Sequence, residues 1–231
     1  MKDHSMQKIA VQYLSNIGAI QEIRSICISE MQNFLRDVST FCNQKNVLRT
    51  EGNFRIDQID SEPQIPQKKG LLTSDYAKIT TAIRYKKNNR YMQVANLEMA
   101  ICCGYFGLSP NTFHWVIYVR TTSKTADNFD EKLEHIAKEN PSSRFYESIK
   151  KIDEDTVLFC SSPITEELKV GDAVNDIQAV ADFIYSSGKV FDEIWKERAI
   201  DNSGEQVSCD DDSQDLTSDS NQKDIMEEPQ I

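Results

Sequence analysis

A cluster of basic and aromatic residues is the strongest chemical signal in this sequence. Six residues within eight positions form it: Arg84, Tyr85, Lys86, Lys87, Arg90 and Tyr91. They flank Asn88-Asn89, and because asparagine tolerates positive φ, this pair favours a two-residue type I′ hairpin. Cations at the tip of such a hairpin can neutralise phosphates while the rings stack on bases. The cluster is therefore a candidate nucleic-acid site, although lysines at a hairpin end also commonly protect a sheet edge.

Two acidic residues are spaced along the sequence so that their carboxylates could bind one metal ion. Asp75 and Glu98 are spaced like the acids of restriction-type nucleases, which place an acid on one strand and Glu-x-Lys on the next to bind Mg²⁺ and activate water. Here Glu98 is followed by Met99 and Ala100, so the lysine position is empty. The segment Glu147-Ser148-Ile149 fails in the same way. The pattern therefore lacks its complete catalytic motif, and we assign no catalytic residue.

Histidine and cysteine are too scattered to predict a metal centre. The histidines are His4, His114 and His135, and none lies in an HxH or HExxH motif. The six cysteines include no Cys-x-x-Cys pair, and adjacent Cys102 and Cys103 should point to opposite faces of a strand. No glycine-rich phosphate loop is present. We therefore expect no metal, no cofactor and cysteines that remain reduced.

The acidic charge is concentrated at the C-terminus. The chain has 26 Lys+Arg and 37 Asp+Glu, a formal net charge of −11. Residues 201–231 contain ten acids and one base, Lys223, which leaves a nearly neutral body. Such a composition predicts a disordered tail. The densest acidic run is a candidate site for a protein partner and consists of Asp210, Asp211, Asp212 and Asp215.

Two long apolar stripes predict the main helices. The first runs from Ala19 to Cys42 and indicates a helix of about six turns. Its members are Ile20, Ile23, Cys27, Met31, Phe34, Val38 and Phe41. This stripe is either a core face or a surface for dimerisation or partner binding. A separate short helix is expected over residues 6–17, because Gly18 should interrupt the helix. The second stripe runs from Asp172 to Arg198, where Gly188 indicates close packing or a break.

Strand periodicity fills the region between these helices. Ala77–Lys87 and Arg90–Gly104 form the predicted hairpin, in which Ile83 should face Val94. The apolar positions of its second strand change parity near Asn96, which predicts a β-bulge.

The remaining elements follow this hairpin. Thr112–Thr121 is the clearest strand, because apolar residues alternate along it. A short helix around Leu133, capped by Asp127, should precede a second hairpin formed by Phe145–Ile152 and Thr156–Ser161.

The order of these elements predicts an α+β fold. We expect a mostly antiparallel sheet of five to six strands, flanked by long N-terminal and C-terminal helices. The expected division is a helical segment at 1–45 that packs on the body, a long connection at 46–75, an α+β core at 76–200 and the disordered tail at 201–231.

These features favour a non-enzymatic binding or regulatory protein, such as an inhibitor, an immunity-type protein or an adaptor, that acts through protein–protein contacts. The alternatives are a nucleic-acid-binding accessory protein that uses the basic hairpin, and a nuclease-related protein without a complete catalytic motif. The expected partner is another protein, with nucleic acid or a second copy of the chain as alternatives. Because we find no apolar run of roughly 20 residues and no apolar N-terminal stretch, we expect a cytoplasmic protein without membrane contact.

Overall fold

An antiparallel sheet of seven strands forms the centre of the fold in a computed structural model, which describes residues 4–65, 76–87, 89–122, 128–165 and 167–193. In chain order the described elements are α1 (His4–Gln44), β1 (Thr50–Glu51), β2 (Phe54–Ile56), β3 (Tyr76–Lys87), β4 (Arg90–Cys103), β5 (Phe113–Thr121), α2 (Phe129–Glu139), β6 (Lys150–Lys151), β7 (Thr156–Pro163) and α3 (Val170–Ser186). The spatial order is β1-β2-β3-β4-β5-β7-β6. The predicted α+β class is confirmed. The sheet is larger than predicted because β1 and β2, from the predicted connection, extend one of its edges. The strand predicted at Phe145–Ile152 is wrong in length, since residues 145–148 form turns and only Lys150–Lys151 pairs with β7.

The β3–β4 hairpin is the longest pairing in the sheet. At its tip Lys87 pairs with Arg90, as predicted. Further along, Ile83 pairs with Ala95 and not with Val94, because the register shifts by one residue after Arg84. This bulge turns the apolar residues of the two halves of β4 to the same face. The bulge lies about two residues closer to the hairpin tip than Asn96, where the alternation of apolar residues predicted it.

Helices cover one face of the sheet. Ile79, Met99 and Ile117 pair across β3, β4 and β5 and have no solvent exposure. Helix α1 packs against β3, and α3 packs against β2, β5 and α1. On this side Trp115 of β5 lies edge-on to Phe34 of α1, with ring centroids 6.2 Å apart. The main core therefore lies between the sheet and the helices, where burial of these large side chains stabilises the fold.

The opposite face of the sheet carries a second, smaller apolar cluster. Its buried members are Tyr76, Ala100, Cys102, Val116, Tyr118 and Leu158. The loop between β4 and β5 covers them with Tyr105, Phe106 and Leu108. Cys102 and Cys103 thus lie on opposite faces of β4, since Cys103 lines a cleft beside α1. This cluster surrounds the polar residues described below.

Helix α1 is continuous, whereas the sequence predicted two helices separated at Gly18. A glycine inside a helix costs only about 1 kcal/mol, which a long helix tolerates. A Cβ atom at Gly18 would meet nothing within 4 Å, so no packing constraint acts there. The predicted stripe of α1 is also partly wrong. The apolar residues of the helix that are buried against the body are Met31, Leu35, Val38 and Cys42.

Several other boundaries differ from the predicted ones. Helix α3 ends at Ser186, and residues 188–193 are helical again after a turn. An added Cβ at Gly188 would lie 3.5 Å from the Phe54 ring, an ordinary contact distance, so packing does not require a glycine there. The long connection predicted at 46–75 contains β1 and β2, and its described part continues along the edge of β3 to a bridge between Gln64 and Lys78.

Several predicted features lie outside the described residues. They include Asp75, the helix cap Asp127 and the acidic tail with Asp210, Asp211, Asp212 and Asp215. Among the described helices, none is both long enough and apolar enough to cross a membrane.

Candidate functional site

The basic hairpin is the first candidate site, and the structure separates its aromatic residues. Tyr85 is only 7% exposed and packs against Phe54, with ring centroids 5.2 Å apart. Its hydroxyl donates a hydrogen bond to Asp192. Burial, followed by this carboxylate, raises the pKa of Tyr85 above its ordinary value. Tyr85 therefore belongs to the core, and its ring is not open to a base.

Arg84 of the hairpin and Arg55 of the neighbouring strand β2 form ion pairs on the opposite face. Asp57 accepts a hydrogen bond from Nε of Arg84 at 2.7 Å, and its other oxygen lies 2.9 Å from Nε of Arg55. The guanidinium of Arg55 also lies 4.8 Å from the ring centre of Tyr91. Two guanidinium groups thus share one carboxylate, and this face of the hairpin keeps a surplus of positive charge.

The remaining cations of the hairpin extend to its tip. Lys86 and Arg90 are exposed, while the side chain of Lys87 lies outside the described part of the structure. Exposed cations of this kind can contact phosphates. The nucleic-acid site at Arg84, Lys86, Lys87 and Arg90 stays a prediction.

A buried carboxylate, Glu98, lies at the centre of the second candidate site. Its side chain is 3% exposed and its Oε2 atom accepts hydrogen bonds from Nζ of Lys78 and from the hydroxyl of Tyr118, each at 2.6 Å. The hydroxyl of Tyr76 forms a short hydrogen bond to that of Tyr118. These four residues make a continuous polar network inside the apolar cluster of this face.

The sheet register explains how the network forms. Thr80 of β3 pairs with Glu98, and Tyr118 of β5 pairs with it on the other side. Lys78 is two residues from Thr80, so it shares the face of Glu98 as a diagonal neighbour. Glu98, which has no lysine two residues after it, thus forms its ion pair with a lysine of the adjacent strand.

The two tyrosine hydroxyls of the network hold their protons strongly. Burial is the main cause that raises the pKa of both Tyr76 and Tyr118 far above the ordinary phenol value. Both phenols therefore remain hydrogen-bond donors, and the order of donation runs from Tyr76 to Tyr118 to Glu98. Because the charge of Glu98 is matched by Lys78, we interpret the network as a stabilising element of this face.

A cavity of about 560 Å³ lies beside the network. Its polar lining includes Lys78, Arg120 and Asp153, and its apolar wall includes Tyr105 and Phe106. Asp75, the second acid of the nuclease-like pattern, lies outside the described residues. In the part of the chain that the structure describes, no three His, Cys, Asp or Glu side chains are grouped so that they could hold a metal ion.

The third candidate site is the part of α1 that extends beyond the body, which we call the exposed segment and define as residues 11–30. Of the eight large apolar side chains that are exposed in the described structure, five lie here: Val11, Leu14, Ile20, Ile23 and Ile26. Their exposed fractions range from 45% to 65%. The structure therefore leaves uncovered the first half of the apolar stripe that the sequence predicted.

Two apolar clefts flank the base of the exposed segment, one on each side of α1. The first has a volume of about 460 Å³ and lies between the helix and Cys103, Pro110 and Phe113. The second has a volume of about 390 Å³ and is formed with Phe113, Ile164 and Leu168. The apolar surface of the exposed segment is therefore continuous with the body of the protein.

The described cysteines are all free thiols. Cys27 is exposed and lies in the exposed segment, whereas Cys42 and Cys102 are buried. Burial raises the pKa of Cys42 and of Cys102 to about 12, so both stay protonated at neutral pH. His114 is 8% exposed, and its Nδ1 atom lies 2.9 Å from the carbonyl oxygen of Thr112. Cys42, Cys102 and His114 therefore belong to the core.

The described residues thus define an α+β protein with a seven-stranded antiparallel sheet, a Lys–Glu ion pair whose carboxylate is buried, and a long, partly uncovered helix. No protein-family model, no curated protein and no solved structure matches the chain.

Proposed function

We propose that this chain is a non-enzymatic binding or regulatory protein, and that the exposed segment of α1 is the surface through which it contacts another polypeptide. The observation that carries the proposal is a set of five large apolar side chains that are exposed around a helical segment with few charges. Leu14 and Ile23 are 65% and 62% exposed. Among the twenty residues of the exposed segment, only Glu22, Arg24 and Glu30 are charged. A helix that remains in water normally carries a broad polar and charged face.

The anchoring of α1 supports the same proposal. Leu35, Val38 and Cys42 have no solvent exposure, so the second half of the helix is fixed to the core. The exposed segment continues this half without a break and is thereby held in a helical conformation before it meets a partner. A preorganised surface binds with a smaller loss of conformational entropy than a disordered segment would.

The proposal predicts a variant that folds normally and fails to bind. We expect Leu14→Asp combined with Ile23→Asp to reduce the amount of partner captured from the native source at least tenfold. The thermal unfolding midpoint should change little, because neither side chain belongs to the core. Quantitative mass spectrometry of proteins captured on the immobilised full chain provides the measurement.

Met92→Asp is the matched control, since Met92 is 53% exposed but lies on the hairpin. It introduces the same residue type at an exposed apolar position, with one added negative charge against two in the double variant, and should leave the capture unchanged. Equal capture by the wild type and by the double variant would contradict the proposed contact surface.

A second candidate function is nucleic-acid binding through the hairpin, and one observation favours it. Arg84 and Arg55 share the single carboxylate of Asp57, which leaves the face with a positive surplus next to exposed Lys86 and Arg90. We expect Lys86→Glu combined with Arg90→Glu to abolish any binding of labelled single-stranded RNA or DNA, measured by fluorescence anisotropy at low salt. Wild-type binding that is absent at low salt, or that survives the charge reversal, would eliminate this candidate.

A further inference from the structure

The cavity beside the Glu98 network has the dimensions of a small-molecule binding site. Its volume is about 560 Å³, and pockets that bind small molecules usually measure about 300–1,000 Å³. Residues of β3, of β5, of the loop between β4 and β5 and of the turn after β6 line it together. Because the second apolar cluster forms part of its wall, the cavity lies on the face of the sheet opposite to the helices. It is therefore separate from the exposed segment of α1.

Arg120 brings a positive charge to this cavity. It lies two residues after Tyr118 on β5 and so shares its face of the sheet, with its guanidinium 5.6 Å from the centre of the Tyr118 ring. The residue is exposed, and none of the ion pairs among the described residues includes it. Burial is the main cause that raises the pKa of Tyr76, and the charge of Arg120 opposes this rise, so the guanidinium acts on the polar network. A guanidinium without a carboxylate partner can bind a planar oxyanion with two parallel hydrogen bonds.

Lys78 adds hydrogen-bond donors to the lining, while Glu98 balances its charge. An ammonium group has three N–H donors, and among the described residues only Glu98 accepts one from Lys78. The acid in the described lining is Asp153, which is exposed and whose Oδ1 atom already accepts a hydrogen bond from the backbone amide of Asp155 at 3.0 Å. The donors for an anion are therefore on the strands, and the acid is at the exposed turn.

Aromatic rings form the apolar wall of the cavity. Tyr105 lies 5.0 Å from Tyr76, and Phe106 lies 4.8 Å from Tyr118, measured between ring centres. Tyr105 and Phe106 are both half-buried, so part of each ring remains accessible. The backbone of Phe106 has a φ of 57°, a left-handed conformation that a bulky side chain rarely adopts. Strain of this kind is kept mainly where a side chain must be held for a function, such as contact with a ligand.

We propose that this cavity binds a small molecule that has a planar aromatic body and one carboxylate or phosphate group. The anionic group binds the guanidinium of Arg120, and Lys78 donates further hydrogen bonds to the ligand. The aromatic body packs against Tyr105 and Phe106, because offset and edge-on ring contacts add to the stabilisation that burial gives. The site does not depend on the contact surface of α1, since the two lie on different parts of the protein.

A series of naphthalene compounds tests the proposal, because its members share one aromatic body and differ in charge. The probes are naphthoate, naphthyl phosphate and naphthol, each substituted at the same ring position, and naphthol is uncharged at neutral pH. Isothermal titration calorimetry with the full chain should give one site for at least one anion, with a dissociation constant below about 1 mM. Naphthol should bind at least tenfold more weakly. The better of the two anions shows whether the ligand carries a carboxylate or a phosphate.

Arg120→Gln distinguishes binding in the cavity from binding elsewhere. We expect it to weaken binding of the better anion at least tenfold and to leave that of naphthol unchanged, because only the anion uses the guanidinium. Arg144→Gln is the matched control, since it removes the same charge from a residue that pairs with Asp176 of α3. It should leave all three dissociation constants unchanged. Phe106→Ala should weaken binding of the anion and of naphthol by a similar factor, because both lose the same ring contact, and thermal unfolding checks that each variant is folded.

The proposal is overturned if neither anion binds, or if naphthol binds as tightly as both anions. It is also overturned if Arg120→Gln leaves the binding of the anion unchanged, since the probe would then occupy another apolar surface, such as the exposed segment. None of these results concerns the capture of a partner through Leu14 and Ile23, so this site and the proposed function can fail independently.

Discussion

Replacing Lys78 with methionine should lower the free energy of unfolding by about 3–5 kcal/mol, the typical cost of leaving one member of a buried ion pair without its partner. Glu98 is 3% exposed, and Lys78 lies 2.6 Å from its carboxylate with a side chain that is 16% exposed. Methionine has nearly the length of lysine, so little volume is lost. The loss of stability comes mainly from the buried carboxylate of Glu98, which then keeps only the hydrogen bond from Tyr118. Equilibrium denaturation in urea at neutral pH measures this loss.

The matched control adds Glu98→Gln to the same variant. The glutamine carbonyl can still accept the hydrogen bond from Tyr118, and no buried charge remains to be neutralised. We therefore expect the double variant Lys78→Met and Glu98→Gln to recover most of the lost stability. If Lys78→Met alone costs less than about 1 kcal/mol, water reaches Glu98 and the pair is only a screened surface contact.

Much of this network follows from the sequence once the hairpin is predicted. The tip pairing of Lys87 with Arg90 fixes the register, and the parity change along β4 indicates a bulge. Continuing the register through a one-residue bulge pairs Thr80 with Glu98, which makes Lys78 a diagonal neighbour of Glu98. The Glu-x-Lys pattern places its lysine on the same strand as the glutamate, so it does not predict a lysine from the neighbouring strand. The contribution of Tyr118 also requires the β4–β5 pairing, and strand periodicity alone does not give that register.

The residues of the hairpin also make contacts that the local sequence does not predict. Alternation placed Arg84 and Lys86 on one face and Tyr85 on the other, as the structure has them. Local sequence does not indicate that Asp57 and Asp192, from distant parts of the chain, approach these residues. Because those contacts are tertiary, the basic and aromatic cluster could not be divided into core and surface residues in advance.

Helix α1 illustrates why periodicity alone cannot locate a buried face. The helix carries apolar residues over a wide arc, and two neighbouring stripes both satisfy a spacing of three and four. The predicted stripe contains Met31 and Val38, which are buried, but omits Leu35, which has no exposure at all. The position of the sheet selects the second stripe for residues 31–42. For residues 11–30 no described element lies close enough to bury either stripe.

Replacing leucine with alanine should therefore change the stability by very different amounts at two positions of α1. Leu35→Ala should cost about 2–5 kcal/mol of stability, because Leu35 is completely buried and its removal leaves a cavity between α1 and the sheet. Leu14→Ala should cost less than about 0.5 kcal/mol in the monomer, because Leu14 is 65% exposed. Both variants change the same residue type in the same helix, so intrinsic helix propensity cancels in the comparison.

Urea denaturation of both variants in dilute solution measures the two losses. A cost of Leu14→Ala above about 2 kcal/mol would mean that the exposed segment packs inside its own chain, which would contradict its role as a contact surface. A cost of Leu35→Ala below about 1 kcal/mol would mean that the second half of α1 is not fixed to the core, and the exposed segment would then not be held in place by it.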